Sequence, residues 1–194
     1  AGQGTRMESD IPKVLHKVGG KPMISHVIHT ANSLGTERII IVLGYKHEMI
    51  EKVLENESVE SVLQLNQLGT AHAVIQCQNI LKNFQGNVLI LYGDVPLTKV
   101  ETLSELLEVH KQKNASSTIL TTDLPDPTGY GRIIRNSDDS LLKIIEEKDA
   151  TDEEKNVTEI NSGIYVFDAP TLFRLLPLVG NNNKQNEYYL PDVI

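Results

Sequence analysis

Short apolar runs rich in β-branched residues alternate with stretches of helical spacing through the first two-thirds of the chain, and this alternation constrains the fold more than any other feature. The runs 38–43 (RIIIVL), 59–63, 88–92 (VLILY) and 117–121 read as strands. Between them, 22–34, 46–55, 70–81 and 100–113 repeat apolar residues at helical intervals. In the first of these Met23, Val27, Ile28 and Ala31 form one stripe, and Gly35 follows as a C′ residue. Strands that are apolar throughout are buried on both faces, which calls for helices above and below and for right-handed crossovers between parallel neighbours. The expected class is α/β, a mainly parallel twisted sheet with helices on both faces. After Leu124 the rhythm changes: 131–135, 141–146 and 164–167 read as strands parted by turns and an acidic segment, which predicts antiparallel additions in the C-terminal half.

Composition narrows the partners. At 194 residues, 40 % of them hydrophobic, one ordinary core is the default. No apolar run approaches the roughly 18 residues that span a bilayer, so no membrane contact is expected. Cys77 is the only cysteine, which rules out a disulfide within the chain and fits a reducing, cytoplasmic setting. A net charge of −8 opposes a nucleic-acid surface, so any phosphate ligand must be held by local groups. The chain opens on the turn sequence Ala1-Gly2-Gln3-Gly4 and closes abruptly on Leu190-Pro191-Asp192-Val193-Ile194. Both ends read as truncations, with a strand expected before Ala1.

In open α/β sheets ligands collect outside the carboxyl ends of strands, which singles out three loops. The first is Gly2-Gln3-Gly4-Thr5-Arg6-Met7 with Lys13 beyond it: two glycines admit a phosphate close to the backbone, and Arg6 and Lys13 supply positive charge. The plain alternative is a surface turn, since Met7 stands where a dinucleotide fingerprint has its third glycine. The second is Tyr92-Gly93-Asp94-Val95-Pro96-Leu97, where Asp94 could hold Mg²⁺ or serve merely as a turn or capping residue. The third holds Gln64, Gln67, Gly69 and Thr70: amides suit the edge of a nucleobase, and the alternative is ordinary capping with Thr70 as the cap.

Taken in order, G-x-G-T-R-M with its following P-K, Q-L-G-T-A-H-A and Y-G-D-V-P-L resemble the sugar-1-phosphate nucleotidylyltransferases. The later stretches D-P-T-G-Y-G-R, E-E-K-D-A, E-I-N-S-G and E-Y-Y narrow the resemblance to the uridyltransferase domain of the bacterial bifunctional N-acetylglucosamine-1-phosphate uridyltransferases and glucosamine-1-phosphate acetyltransferases. The resemblance implies a Rossmann-like nucleotidyltransferase fold. It implies that Gly2, Gly4, Arg6 and Lys13 meet the phosphates of UTP, with Arg6 and Lys13 catalytic. Gln64, Gln67, Gly69 and Thr70 would hold uracil and ribose, Tyr92 and Gly93 would lie beside nucleotide and sugar, and Asp94 would bind Mg²⁺. Gly131, Glu146, Asn161 and Tyr189 would contact N-acetylglucosamine 1-phosphate. The implied product, UDP-N-acetylglucosamine, feeds peptidoglycan and lipopolysaccharide synthesis.

The same resemblance implies a second metal ligand, an asparagine beyond the Tyr188-Tyr189 pair that this chain does not reach, and a C-terminal left-handed β-helix that carries the acetyltransferase and assembles a homotrimer. No hexapeptide repeat of that kind occurs within 1–194. Two alternatives stay open: the same chemistry on another sugar 1-phosphate, and a regulatory module that keeps the fold without the reaction. Arg6, Lys13 and Asp94 together speak against the second. Several tempting residues are discounted. His26 and His29 read as a helix-surface or core pair, Cys77 as a small buried hydrophobe, 149–155 as a solvated helix start, and Asn181, Asn182 and Asn183 as a plain loop.

Overall fold

The computed structural model describes residues 9–194. A single 3₁₀ turn, Lys13–Leu15, leads into a small hairpin of β1 (Lys17–Val18) and β2 (Lys21–Pro22) joined by Gly19 and Gly20, both at positive φ. Helix α1 (Met23–Ser33) follows, burying Met23, Ile24, Ile28 and Ala31, and stops at Gly35 with φ of 69°, as the sequence predicts. His26, discounted as a ligand, braces the hairpin through Nε2 to the Val18 carbonyl at 2.7 Å.

Strand β3 (Ile40–Leu43) and strand β4 (Glu60–Leu63) pair in parallel around α2 (His47–Leu54). Ile24, Ile28, Leu43, Ile50 and Leu54 close that unit with a core of their own. Helix α3 is shorter than the 70–81 spacing suggests: it runs Thr70–Ile75 and dissolves into turns, because Gln76, Cys77 and Gln78 donate three residues back instead of four. Cys77 is buried there, and loss of water pushes its thiol up to about 11.

A third sheet, five-stranded, contains β5 (Asn87–Ile90), β6 (Ser117–Asp123), β7 (Arg132–Arg135), β8 (Leu141–Ile145) and β9 (Glu159–Asp168), with α4 (Val100–Gln112) between β5 and β6. Helix α5 (Asp152–Lys155) precedes β9 and α6 (Ala169–Leu175) follows it. The α/β class holds, yet the expectation of a mainly parallel sheet needs correcting. Among the described residues, β3–β4 is the parallel pair, while β5, β6 and β7 all meet β9 antiparallel and β7–β8 is an antiparallel hairpin. The reason is the length of β9, ten residues where the sequence suggests four. Its polar first half, Glu159–Gly163, gives no strand signal of its own. It is held extended by β6 along one edge and by Arg132 and Gly131 on the other.

The apolar half of β9 alternates between two cores. Tyr165 and Phe167 pack with Ala71, Leu172, Leu176 and Leu190; Ile164 and Val166 pack with Leu103 and Leu106 of α4. Strand β9 is thereby central, with Tyr165 and Val166 both at 0 % exposure. No helix of the described residues is long and apolar enough to cross a membrane.

Candidate active site

Lys13 and Asp94 meet. The short turn after Pro12 brings the Lys13 ammonium to 2.6 Å from Asp94 Oδ2, in the loop that leaves the carboxyl end of β5. Both side chains stay reachable, Lys13 at 43 % and Asp94 at 28 % exposure, so the pair can meet a ligand that brings its own charge. Gly93 lies between them and the core: a Cβ there would stand 3.2 Å from Val14 Cγ1 and 3.3 Å from Ile24 Cδ1. The phosphate cradle expected from Gly2, Gly4 and Arg6 lies outside the described residues.

The Mg²⁺ expectation can be tested on donor chemistry. Among the described residues no three His, Cys, Asp or Glu side chains gather as a cage. Mg²⁺ does not require one, since it prefers one or two carboxylates with phosphate oxygens and water. Asp94, whose Oδ2 is engaged by Lys13, suits that mode.

Tyr92 links this pair to a second group. Its ring lies against Gly163 so closely that a Cβ on Gly163 would be 1.9 Å from Tyr92 Cε2, and Gly163 has φ of 79°. Burial first, then the carboxylates of Glu146 and Asp94, push the Tyr92 hydroxyl up to about 12, so it remains a proton donor at physiological pH. Tyr165 behind it is raised still further by burial. Asn161, 9 % exposed, donates to Tyr165 OH at 2.5 Å and accepts from the Gly163 amide at 2.9 Å, which fixes its orientation. Glu146 Oε1 sits 3.3 Å from where a Cβ of Gly131 would be, so the glycine clears room for the carboxyl.

Glu146 also lines a cleft of about 340 Å³ with Asp149, Asn183, Tyr189, Pro191 and Asp192. Burial raises its pKa, helped by the like charges of Asp149, Asp192 and Glu187. The turn that carries it is anchored by Arg132, 1 % exposed, whose guanidinium stands 2.7 Å from Glu147 as a close charge pair and reaches the Tyr130 and Lys155 carbonyls. A larger cavity, about 410 Å³, lies among Asn87, His110, Asn114 and Asp168, at the amino ends of β5 and β6 and away from these loops.

The loop that holds Gln64, Gln67, Gly69 and Thr70 is tied in by the segment 188–190. Gly69, φ 117°, faces the Tyr188 peptide so closely that a Cβ would be 2.4 Å from its carbonyl oxygen. Tyr188 N donates to Leu68 O, Ala71 N donates to Tyr188 O, and Leu190 N donates to Thr70 Oγ1 at 2.8 Å. Thr70 is accordingly no helix cap: Gly69 occupies that position without a side-chain bond, and the Thr70 hydroxyl serves the strap. Gln64, 2 % exposed, turns its amide nitrogen to Gly69 O and His72 Nδ1. Gln67 uses its amide nitrogen within the loop too, donating to the carbonyls of Gln64 and Leu65.

Asp149, Asn183 and His72, to which the sequence reading gave no part, complete the geometry. Tyr189 OH accepts from Gln185 Nε2 at 2.7 Å and donates to Asp149 Oδ2 at 3.3 Å, while Asp149 Oδ1 accepts from the Lys184 amide. Asp149 is thus a clasp, whereas the stretch after it behaves as expected, a helix start with a Thr151–Glu154 capping box. Asn183 organises the loop that seemed plain, accepting from Gln185 and Glu187 amides and donating to Glu187 O. Asp149 and His72 lie inside motifs visible in the sequence, E-E-K-D-A and Q-L-G-T-A-H-A; membership of those motifs was the available signal.

Comparison with known proteins decides the family. The nucleotidyl transferase family model matches residues 1–193. The chain belongs to that family. This nucleotidyl transferase is 52 % identical over all 194 residues to the bifunctional protein GlmU of Alkaliphilus metalliredigens, 49 % to that of Streptococcus mutans and 48 % to that of Halalkalibacterium halodurans. In each case the match covers 100 % of this chain and 42 % of the relative, so the chain spans less than half the length of those proteins. The narrower resemblance drawn from the ordered motifs is borne out. A crystal structure of UDP-glucose pyrophosphorylase with UDP-glucose superposes with a TM-score of 0.80 over 100 % of this chain and 82 % of its own, at 18 % identity, which carries the fold alone.

Proposed function

We propose that this nucleotidyl transferase joins the uridylyl group of UTP to N-acetylglucosamine 1-phosphate and releases pyrophosphate, forming UDP-N-acetylglucosamine in the cytoplasm. The Lys13–Asp94 pair at the carboxyl end of β5 carries this reading, because it sets one cation and one carboxylate where phosphates from two substrates can converge. A phosphate oxygen of the sugar phosphate attacks the α-phosphorus in line as the bond to the pyrophosphate oxygen breaks. The nucleophile is already an anion, so no general base is needed, and orientation with charge neutralisation supplies the acceleration. Lys13 and Arg6 neutralise charge on the phosphates. Mg²⁺, held by Asp94 and substrate phosphates, would add Lewis-acid neutralisation. Gln64, Gly69 and Thr70 hold the uridine end; Glu146, Gly131, Asn161 and Tyr189 hold the sugar, whose hydroxyls and amide suit carboxylate, amide and backbone partners. Tyr92 keeps a protonated hydroxyl between the two.

The test is pyrophosphate release from UTP and N-acetylglucosamine 1-phosphate with Mg²⁺, on the protein at its natural full length. Asp94→Ala should lower turnover by on the order of a hundredfold or more with the fold intact. Unchanged turnover would sink the catalytic reading. Release with a different sugar phosphate only would leave the chemistry and replace the substrate.

A further inference from the structure

We propose that His72 is a positioning residue for base selection: it holds the Gln64 side chain so that the carbonyl oxygen, rather than the amide nitrogen, is the group left for the nucleobase. The inference rests on the reading that the base loop takes the uridine end of UTP.

Gln64 leaves β4 and is almost fully buried. Its Nε2 is 3.1 Å from the Gly69 carbonyl oxygen, and a carbonyl can only accept, so the orientation of the amide is fixed at that contact. The second N–H points at His72 Nδ1, 3.0 Å away. A neutral imidazole has one lone pair to offer; placing it at Nδ1 puts the ring proton on Nε2. The competing contact is weaker. Gln76 Nε2 lies 3.4 Å from His72 Nε2, at the limit of hydrogen bonding, and already donates to the His72 carbonyl at 2.8 Å. Both Gln64 N–H groups are therefore consumed, and among the described residues nothing donates to its Oε1.

The consequence is chemical. A base that meets Oε1 must bring an N–H, as uracil does at N3; cytosine brings a lone pair to the same place and leaves two acceptors facing each other. His72 is itself steadied, since α3 starts on Gly69 and Tyr188 lies beside its ring with centroids 6.4 Å apart. Without an acceptor at Nδ1, Gln64 keeps one tether instead of two and can turn its amide to serve either base.

The experiment compares kcat/KM for UTP and CTP in the full-length protein and its variants. His72→Phe should narrow the preference for UTP by about tenfold or more, the usual consequence of freeing a group that otherwise faces an unpaired acceptor. His72→Asn, which keeps an oxygen acceptor near the place of Nδ1, should restore most of the preference. A preference unchanged in His72→Phe, while Gln64→Ala collapses it, overturns the role of His72 and leaves the base loop intact. A preference unchanged in Gln64→Ala overturns the base-loop reading itself. Should His72→Phe not fold, the ¹⁵N shifts of His72 in the unsubstituted protein decide: the Nε2–H form supports the proposal, and the Nδ1–H form overturns it.

Discussion

At position 146 a carboxyl is kept from water with Asp149, Asp192 and Glu187 around it, and its pKa is raised in consequence. The native state then holds this proton more tightly than the unfolded chain does. Stability from that proton is fully present below the ordinary carboxylate value, about 4.3, and is lost as pH rises through the raised native value. At neutral pH the ionised group therefore costs stability, and Glu146→Gln should raise Tm by about 2 °C at pH 7.5, a gain that vanishes near pH 4. Melting curves across pH check this, and a lower Tm at pH 7.5 would refute it. The same variant should raise the KM for the sugar phosphate about tenfold, the direction in which a functional site trades stability for binding. Gly163 shows the opposite case, a residue whose loss harms both. Its φ of 79° and the Tyr92 ring exclude a side chain, so Gly163→Ala should cost about 2–4 kcal/mol in urea unfolding.

Elements reveal why part of this arrangement could be read in the sequence and part could not. Helix α1 and strands β3, β5 and β6 follow from local spacing, because each buries one pattern against a neighbour that the pattern itself implies. The Glu159–Gly163 half of β9 has no such pattern: its extended form comes from pairing with β6 and β7, partners distant in sequence. The site divides likewise. Lys13, Asp94, Gly69 and Glu146 stand in motifs that the sequence displays, although the pairing of Lys13 with Asp94 and of Gly69 with Tyr188 joins distant positions; the strap from Tyr188 to Leu190 is a long-range device that spacing cannot announce. Thr70 lies at its root, 120 positions from Leu190. Thr70→Val keeps the shape and removes the acceptor, leaving the Leu190 amide without its partner. The expected loss is about 1–2 kcal/mol, with faster hydrogen exchange over 188–190 and little change at α4. Uniform acceleration across the chain would show that the strap is not a separable unit.

Across the whole molecule, hydrogen bonding and packing are organised around β9 more than around a continuous parallel sheet. Strand β9 contributes Tyr165 and Phe167 to one core and Ile164 and Val166 to the other, so neither can come apart while it stays in place. The β3–α2–β4 unit is different. Among the described residues its two strands pair with each other and with no strand of the five-stranded sheet, and Leu43, Ile50 and Leu54 close a cluster separate from those of β9. A two-stranded parallel pair lacks the cross-connections that spread cooperativity, which makes this unit the first to open below global unfolding. Native-state hydrogen exchange should accordingly give Val42 and Val62 lower opening free energies than Tyr165 and Val166, whose exchange should track global stability. Phe167→Ala separates the two modes. Truncating a fully packed aromatic costs about 3–5 kcal/mol, which should lower the protection of β9 by that amount and bring it down toward that of β3 and β4. If β3 and β4 are already protected to the global limit, the parallel unit is bound into the rest as tightly as β9, and the loop after β4 and the cleft at Glu146 open only together.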